Sequence, residues 1–223
     1  MAQLTDTLNL VELVCARLCH DLGGLIGTIG TAMEMVMEEA DQNDEIVAFA
    51  ASASKSLMQR IRLARAAWGP DVDPYDLEKL VELVVPLLAR QRVGLDTRAL
   101  EPDSEFVPPT ARVLLNVIML ACDSLPKGGT IVLIGEPEDL LIRIEGPGAA
   151  WPSGLADCLR DEAVAMAALT SARTVQMPLT ALLAISRGVR LTLVLGPTTG
   201  IEALRMSAGA ASTNGKALES QAS

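Results

Sequence analysis

One histidine occurs in the 223 residues, and its neighbours make it the first candidate for chemistry. His20 lies in the segment RLCHDLGGLIG, residues 17–27, between Arg17 and Asp21. A neutral imidazole can transfer protons, bind a metal or attack an electrophile, and phosphorus is a suitable target for in-line attack by a ring nitrogen. We therefore interpret His20 as a nucleophile. Asp21 would stabilise its imidazolium or accept its proton, and Arg17 would hold phosphate oxygens.

The cysteines raise the alternative of a metal site. Cys15 and Cys19 are four residues apart and close to His20, but no second pair of ligands occurs at a matching spacing. Cys122 and Cys158 are isolated, and four cysteines in a chain of this length do not form a disulfide framework. We expect all four to be small buried residues in a reducing compartment, and we predict neither a metal nor a cofactor intrinsic to this chain.

Composition and charge narrow the class of protein. Half of the residues are hydrophobic and only 2% are aromatic, which favours an aliphatic, helix-rich core. The formal net charge of −10 argues against nucleic acid or an anionic membrane as the main partner, because both attract basic proteins. The N-terminal segment carries acids where a signal peptide is basic, and no apolar run approaches the length of a membrane span. These features predict a cytoplasmic protein.

The elements that must position the histidine begin with one long helix. From about Thr5 to Ala40 there is no proline, and the apolar residues recur with a helical period, which predicts a helix of about 36 residues. Written as heptads, one apolar position comprises Leu8, Cys15, Leu22, Ile29 and Val36, and the other comprises Leu4, Val11, Leu18, Leu25 and Ala32. On this helix His20 lies opposite the apolar seam, so we expect it to face solvent.

A second helix completes a hairpin. The polar residues Asp41–Asp44 predict a turn into a helix from about Glu45 to Trp68, which Gly69-Pro70 ends. A hairpin buries only one face of each helix, and two hairpins make a four-helix bundle. The sequence therefore predicts a homodimer, with residues 1–70 forming the helical domain.

Glycines beside the histidine indicate a docking surface. Gly23, Gly24 and Gly27 continue on the side of His20, although a glycine within a helix costs about 1 kcal/mol relative to alanine. A bare helix surface would let another protein approach the imidazole. The alternative is close helix packing, for which Gly30 is a candidate.

Residues 71–206 have a different pattern, which predicts a second domain. Short β-rich runs alternate with helical periodicity, as in a sheet with helices on one face. The predicted helices cover about 77–90, 109–125 and 179–187, and the predicted strands cover 130–135, 140–145, 190–196 and 200–206. The fold class is therefore α+β. Residues 207–223 are rich in small and polar residues and are expected to form a disordered tail.

The first helix resembles the phosphoacceptor box of histidine kinases. RLCHDLGGLIGTI has its pattern of His, acid and Leu, with Leu25 where proline is usual, and is most similar to ChpT-type bacterial histidine phosphotransferases. LARAAWG at 63–69 is similar to the end of the second helix in that family. The second domain then resembles the kinase ATP-binding fold, in the segments RVLLNVIMLACDSLPKGGTIVL, IRIEGPGAA and MPLTALLAISRG.

The residues that bind nucleotide in kinases are largely replaced. Asn116 matches the first asparagine of the kinase magnesium-binding helix, but Leu120 and Ile144 stand where the second asparagine and the adenine-binding aspartate belong. Gly146 and Gly148 remain from the kinase Asp-x-Gly-x-Gly box, while the later phosphate-cradling glycines are absent. The resemblance thus implies an ATP-binding fold that has lost its chemistry.

The resemblance implies a phosphorelay protein that shuttles phosphoryl groups through His20 between receiver-domain aspartates, from a hybrid histidine kinase to response regulators. Magnesium would be bound by the receiver. Arg60, Arg62 and Arg65 would present positive charge on the outer face of the second helix to the acidic receiver pocket. An active histidine kinase and a non-catalytic dimeric adaptor are the alternatives.

Overall fold

The computed structural model describes residues 2–38, 43–70, 74–195 and 202–208. Within these ranges the helices are α1 (Ala2–Glu38), α2 (Asn43–Trp68), α3 (Leu77–Gln91), α4 (Pro108–Asp123), α5 (Leu155–Arg160), α6 (Glu162–Ala167) and α7 (Gln176–Ser186). The strands are β1 (Tyr75–Asp76), β2 (Val93–Ala99), β3 (Glu105–Phe106), β4 (Gly129–Glu136), β5 (Asp139–Glu145), β6 (Val189–Leu195) and β7 (Glu202–Ala208).

Helices α1 and α2 pack against each other as the predicted antiparallel hairpin. Small residues at their interface, Ala32, Ala50 and Ala53, are buried, and α2 ends at Trp68, immediately before Gly69-Pro70. The turn was predicted at Asp41–Asp44, but Asn43 and Asp44 belong to α2. Positions 41 and 42 lie outside the described residues. Across the described ranges, no helix combines the length and the apolar character needed to cross a bilayer.

The second unit is a five-stranded sheet with helices on one face, as predicted. The strand order is β2-β4-β5-β7-β6, in which β2 and β4 are parallel and the other neighbours are antiparallel. Alternate residues of β5 are fully buried, and the partners of Ile142 and Ile144 on β4, Leu133 and Ile131, are fully buried as well. These side chains form one core with α3 and α4, which includes Leu80, Val84, Leu114, Ile118, Ile131, Leu133, Leu140, Ile142 and Ile144.

Three features of the second unit were not predicted. β2 escaped notice because only Val93 in it is buried, so this edge strand has little apolar pattern. The two-residue strands β1 and β3 and the single-turn helices α5 and α6 are too short for periodicity to indicate them. β7 continues to Ala208 and so includes the first two residues of the predicted tail, while residues 209–223 lie outside the described ranges.

Candidate functional site

The imidazole of His20 projects from the middle of α1 into solvent. Its side chain is 85% exposed, which confirms the orientation predicted from the heptad pattern. Nδ1 lies 3.3 Å from Oδ1 of Asp21, the next residue along the helix. Because a carboxylate can only accept a hydrogen bond, this contact favours the tautomer with the proton on Nδ1. The lone pair of Nε2 is then the nucleophilic position of the ring.

Asp21 links the histidine to Arg17. Its second oxygen, Oδ2, accepts a hydrogen bond of 2.9 Å from Nε of Arg17, one helical turn earlier. The Asp21 side chain is 31% exposed, compared with 18% for Arg17. The three predicted site residues therefore form a chain of contacts, in which Asp21 touches both of the others.

Arg17 points toward the second unit rather than alongside the imidazole. Nη2 lies 3.6 Å from Oδ2 of Asp123, and Nη1 donates to the backbone oxygen of Arg173 at 3.4 Å. Burial alone would lower the pKa of Arg17, but the hydrogen bond to Asp21 and the charges of Asp123 and Asp21 raise it. The guanidinium is therefore charged and is shared between two carboxylates in the structure.

Arg60 joins α2 to α1 at the same place. Its Nη1 donates to the backbone oxygen of Asp21, so its guanidinium is turned toward the first helix. The prediction that Arg60 contributes positive charge to the outer face of α2 is wrong for this reason. Arg62 and Arg65 are exposed, as that prediction requires.

The glycines near His20 leave an open surface. A Cβ added at Gly23, Gly24, Gly27 or Gly30 would meet nothing within 4 Å. Close helix packing therefore does not explain Gly30 within this chain. The helix surface next to the imidazole is bare, which fits the expectation of a docking surface.

The cysteines divide into two pairs. Cys15 and Cys19 are exposed on α1, so the expectation that all four are buried was wrong. Cys122 and Cys158 are buried, and burial raises the pKa of the Cys122 thiol to about 12. Within the described part of the chain, no group of three or more His, Cys, Asp and Glu side chains could hold a metal ion.

Asn116 occupies the position that resembles a kinase magnesium ligand, but its hydrogen-bonding groups are fully engaged. It is 0% exposed. Its Nδ2 donates to the backbone oxygens of Ala67 and Arg112 at 3.0 and 2.9 Å. Its Oδ1 accepts from Trp68 Nε1 at 2.9 Å and from Gln176 Nε2 at 3.1 Å. Both acceptor positions of the amide oxygen are therefore occupied by protein donors, which does not fit a magnesium ligand.

The cluster around Asn116 attaches the hairpin to the second unit. Arg112 donates from Nε to the backbone oxygen of Ala67 at 3.2 Å and from Nη2 to that of Trp68 at 2.9 Å. These carbonyls belong to the last turn of α2, which has no partners for them within the helix. This cluster was not predicted from the sequence, although an arginine within the apolar helix α4 was a possible signal.

A cavity of about 290 Å³ lies beside the candidate site, between the hairpin and the second unit. Arg17, Asp21 and Arg60 contribute to its polar rim, while leucines of α1 and α3 and Trp68 supply its apolar wall. The contacts of Arg17 with the second unit thus lie at the edge of a space that the two units do not fill.

A family model described as histidine phosphotransferase C-terminal domain matches residues 76–199, which is more than half of the chain. The chain belongs to the histidine phosphotransferase family. The matched range begins at Asp76, which caps α3 by accepting from the backbone nitrogen of Lys79 at 2.8 Å. It covers most of the second unit, whereas His20 lies in the hairpin outside it.

The chain is also similar to individual proteins of known description. The chain is 24% identical over 140 residues to the protein phosphotransferase ChpT of Brucella abortus. These residues make up 60% of this chain and 64% of that protein. It matches the solved structure of a bacterial phosphotransferase with a TM-score of 0.67 and 20% identity, over 89% of this chain and 95% of the other. The chain therefore shares the fold of that phosphotransferase. The histidine kinase AdeS of Acinetobacter baumannii matches with a TM-score of 0.42 and 12% identity, over 84% of this chain and 95% of the other.

Proposed function

We propose that the chain is a phosphohistidine carrier of a two-component phosphorelay, and that His20 is its acceptor. The observation that carries the proposal is the exposed imidazole whose Nδ1 faces Asp21 in a member of the histidine phosphotransferase family. Exposure permits the phosphoryl group to arrive on another protein and to leave on another. The contact with Asp21 leaves Nε2 to attack.

Phosphoryl transfer through His20 would take place in two steps, one with each receiver domain. The Nε2 lone pair attacks the phosphorus of an aspartyl phosphate on a receiver domain, forming the N–P bond while the P–O bond to the aspartate breaks. That electron pair leaves with the receiver carboxylate. The ring becomes an imidazolium that retains its Nδ1 proton beside the Asp21 carboxylate. The carboxylate of a second receiver then attacks phosphorus, and the N–P electron pair returns to Nε2.

Arg17 is proposed to assist by holding Asp21 and by offering positive charge to the phosphoryl oxygens as they approach. In the resting structure its Nε is bound to Asp21, so contact with phosphate requires a change of its side-chain conformation. The receiver is expected to bring its own magnesium, held by its acidic residues.

We propose that this chain uses no nucleotide of its own. The engaged side chain of Asn116 supports this, because magnesium binding would require it to release Trp68 or Gln176. Leu120 and Ile144 are buried among apolar side chains and offer no polar atom to a nucleotide. The domain that resembles a kinase ATP-binding domain would then act as a scaffold.

The partners are proposed to be receiver domains of a hybrid histidine kinase and of response regulators. The open surface at Gly23, Gly24 and Gly27 supports a large partner beside His20. Arg62 and Arg65 are exposed on α2 and could pair with the acidic pocket of a receiver. The net charge of −10 makes nucleic acid and anionic membranes poor partners.

We propose that the hairpin dimerises into a four-helix bundle. Large apolar side chains on it are about half exposed in the single chain, and exposed apolar surfaces of this kind mark interfaces. They comprise Leu8, Val11, Ile26 and Met33 of α1 and Val47 and Met58 of α2. Light scattering after gel filtration is expected to give twice the mass of one chain, and Val11→Lys to give a single-chain mass. A monomeric wild type would contradict the dimer.

Alkylation of the cysteines provides a second test of the dimer. Cys15 and Cys19 lie on the exposed apolar side of α1, so dimerisation should slow their alkylation relative to Val11→Lys. Cys122, whose pKa is raised to about 12, serves as an internal control that stays unreactive in both proteins.

The central test of the proposed function is transfer without nucleotide. Wild-type protein incubated with phosphorylated receiver domains should acquire acid-labile phosphate, and His20→Gln should acquire none while unfolding at the same temperature. Labelled ATP alone should leave the wild type unlabelled. Equal labelling of His20→Gln would reject His20 as the carrier, and labelling by ATP would favour an active kinase.

A further inference from the structure

We infer that Asp123 of the second unit is a positioning residue for phosphotransfer, acting through Arg17 and Asp21 on the ring of His20. The inference rests on the proposed function, because it assigns a role in the same reaction. It gives the second unit a part in the chemistry that its sequence resemblance does not indicate.

A continuous line of side-chain contacts connects Asp123 to the imidazole. Asp123 Oδ2 lies 3.6 Å from Arg17 Nη2, Arg17 Nε donates to Asp21 Oδ2 at 2.9 Å, and Asp21 Oδ1 lies 3.3 Å from His20 Nδ1. Each group uses a different atom for each neighbour. The position of Arg17 therefore restricts the carboxylate of Asp21, which in turn restricts rotation of the ring.

The two ends of this line differ in exposure. The His20 side chain is 85% exposed, and the polar contact that orients its ring is the one with Asp21. At the other end, the side chains of Arg17 and Asp123 are 18% and 34% exposed. Arg17 Nη2 lies 3.6 Å from Asp123 Oδ2, and Nη1 donates to the backbone oxygen of Arg173. The fixed position of Arg17 can thus restrict Asp21 and, through it, the orientation of the exposed imidazole.

Asp123 is placed where fold stability alone would not favour a carboxylate. It is the last residue of α4, and the negative end of a helix disfavours an acid. Burial raises the pKa of Asp123, the nearby charge of Arg17 lowers it and that of Asp21 raises it again, with a net increase. The compensating interaction in the structure is the one with Arg17, on the helix that carries His20.

A double-mutant cycle tests the inference, using transfer from a phosphorylated receiver at saturating and at limiting receiver concentrations. Asp123→Asn should lower the saturating rate about fivefold with little change in the half-saturating concentration, because orientation rather than docking is lost. Asp123→Glu should recover most of the rate. In an Arg17→Ala background, Asp123→Asn should cause no further loss.

The matched control is Asp157→Asn on α5, whose carboxylate pairs with Arg160 at 2.6 Å on an exposed helix. Its rate should equal that of the wild type. The role of Asp123 would be overturned if the transfer rate of the double variant fell by the product of the two single losses. It would also be overturned if Asp123→Asn changed only the half-saturating receiver concentration. If the wild type accepted no phosphate, or His20→Gln accepted it equally, the proposed function would fail and this inference with it. Failure of the cycle alone leaves the proposed function intact.

Discussion

Two polar clusters of this protein use similar hydrogen bonds but differ in what they leave unused. Around His20, Asp21 contacts Nδ1 of the ring and accepts a hydrogen bond from Arg17, and the His20 side chain is 85% exposed. Around Asn116, the amide donates to two carbonyls and accepts from two donors while it is 0% exposed. A reactive site requires an accessible atom without a partner, whereas a structural joint requires that every atom have one.

The difference between the two clusters is consistent with a chain whose second unit resembles a kinase domain but whose proposed role is to carry phosphoryl groups. The kinase-like asparagine holds the end of α2 against α4 and α7, so its hydrogen bonds now stabilise the junction between the two units. His20, the proposed phosphoacceptor, lies at the surface of α1, where another protein would supply the phosphoryl group.

Substitution of Asn116 should have the largest effect on folding. Asn116→Ala would leave Trp68 Nε1 without its acceptor and would remove one of three acceptors of Gln176 Nε2. It would also remove the amide that donates to the backbone oxygens of Ala67 and Arg112, and an unsatisfied buried group costs about 1–3 kcal/mol. We expect the free energy of unfolding to fall by about 3 kcal/mol in denaturant titrations.

Asn9→Ala is the matched control for that measurement. Asn9 is exposed on α1 and donates one hydrogen bond, to the backbone oxygen of Leu169 at 3.1 Å. Its loss should change stability by less than about 1 kcal/mol. Equal losses for the two asparagines would remove the distinction between the buried cluster and the exposed helix.

Substitution of a glycine beside His20 should act on transfer instead of stability. Gly24→Leu meets open space and replaces a poor helix former, so unfolding free energy should stay constant or rise by up to about 0.8 kcal/mol. In transfer assays quenched at fixed times, the rate of phosphoryl transfer should be about tenfold lower than in the wild type, because the leucine side chain obstructs the receiver.

The control for this variant is Gly30→Leu, which is equally open but lies ten residues from the histidine, or about 15 Å along the helix. It should raise stability similarly and slow transfer less. If both variants transferred phosphate at the wild-type rate, the bare surface would have no role in docking.

The sequence was sufficient for those features that depend on local pattern. Heptad periodicity predicted α1 and the exposure of His20, apolar residues at helical spacing predicted α2, and short β-rich runs predicted β4 and β5. Edge strand β2 lacks such a pattern, since Val93 is its single buried residue.

Contacts between distant residues were not predictable in the same way. Asn116 bonds to Trp68 and Gln176, which lie 48 and 60 positions away, and no periodicity relates them. Similarly, Arg17 was identified as a phosphate ligand from its place one turn before His20. Its partner Asp123 became evident only when α4 was placed against α1.

The most direct test of the account is the position of the phosphoryl group on the protein. Phosphorus NMR distinguishes phosphohistidine substituted at Nε2 from that substituted at Nδ1, and can be recorded after transfer from a phosphorylated receiver without nucleotide. Attack by Nε2 of His20 predicts one phosphohistidine resonance, from the Nε2 isomer, and its absence in His20→Gln. Phosphate on Nδ1, or on any residue other than His20, would contradict it.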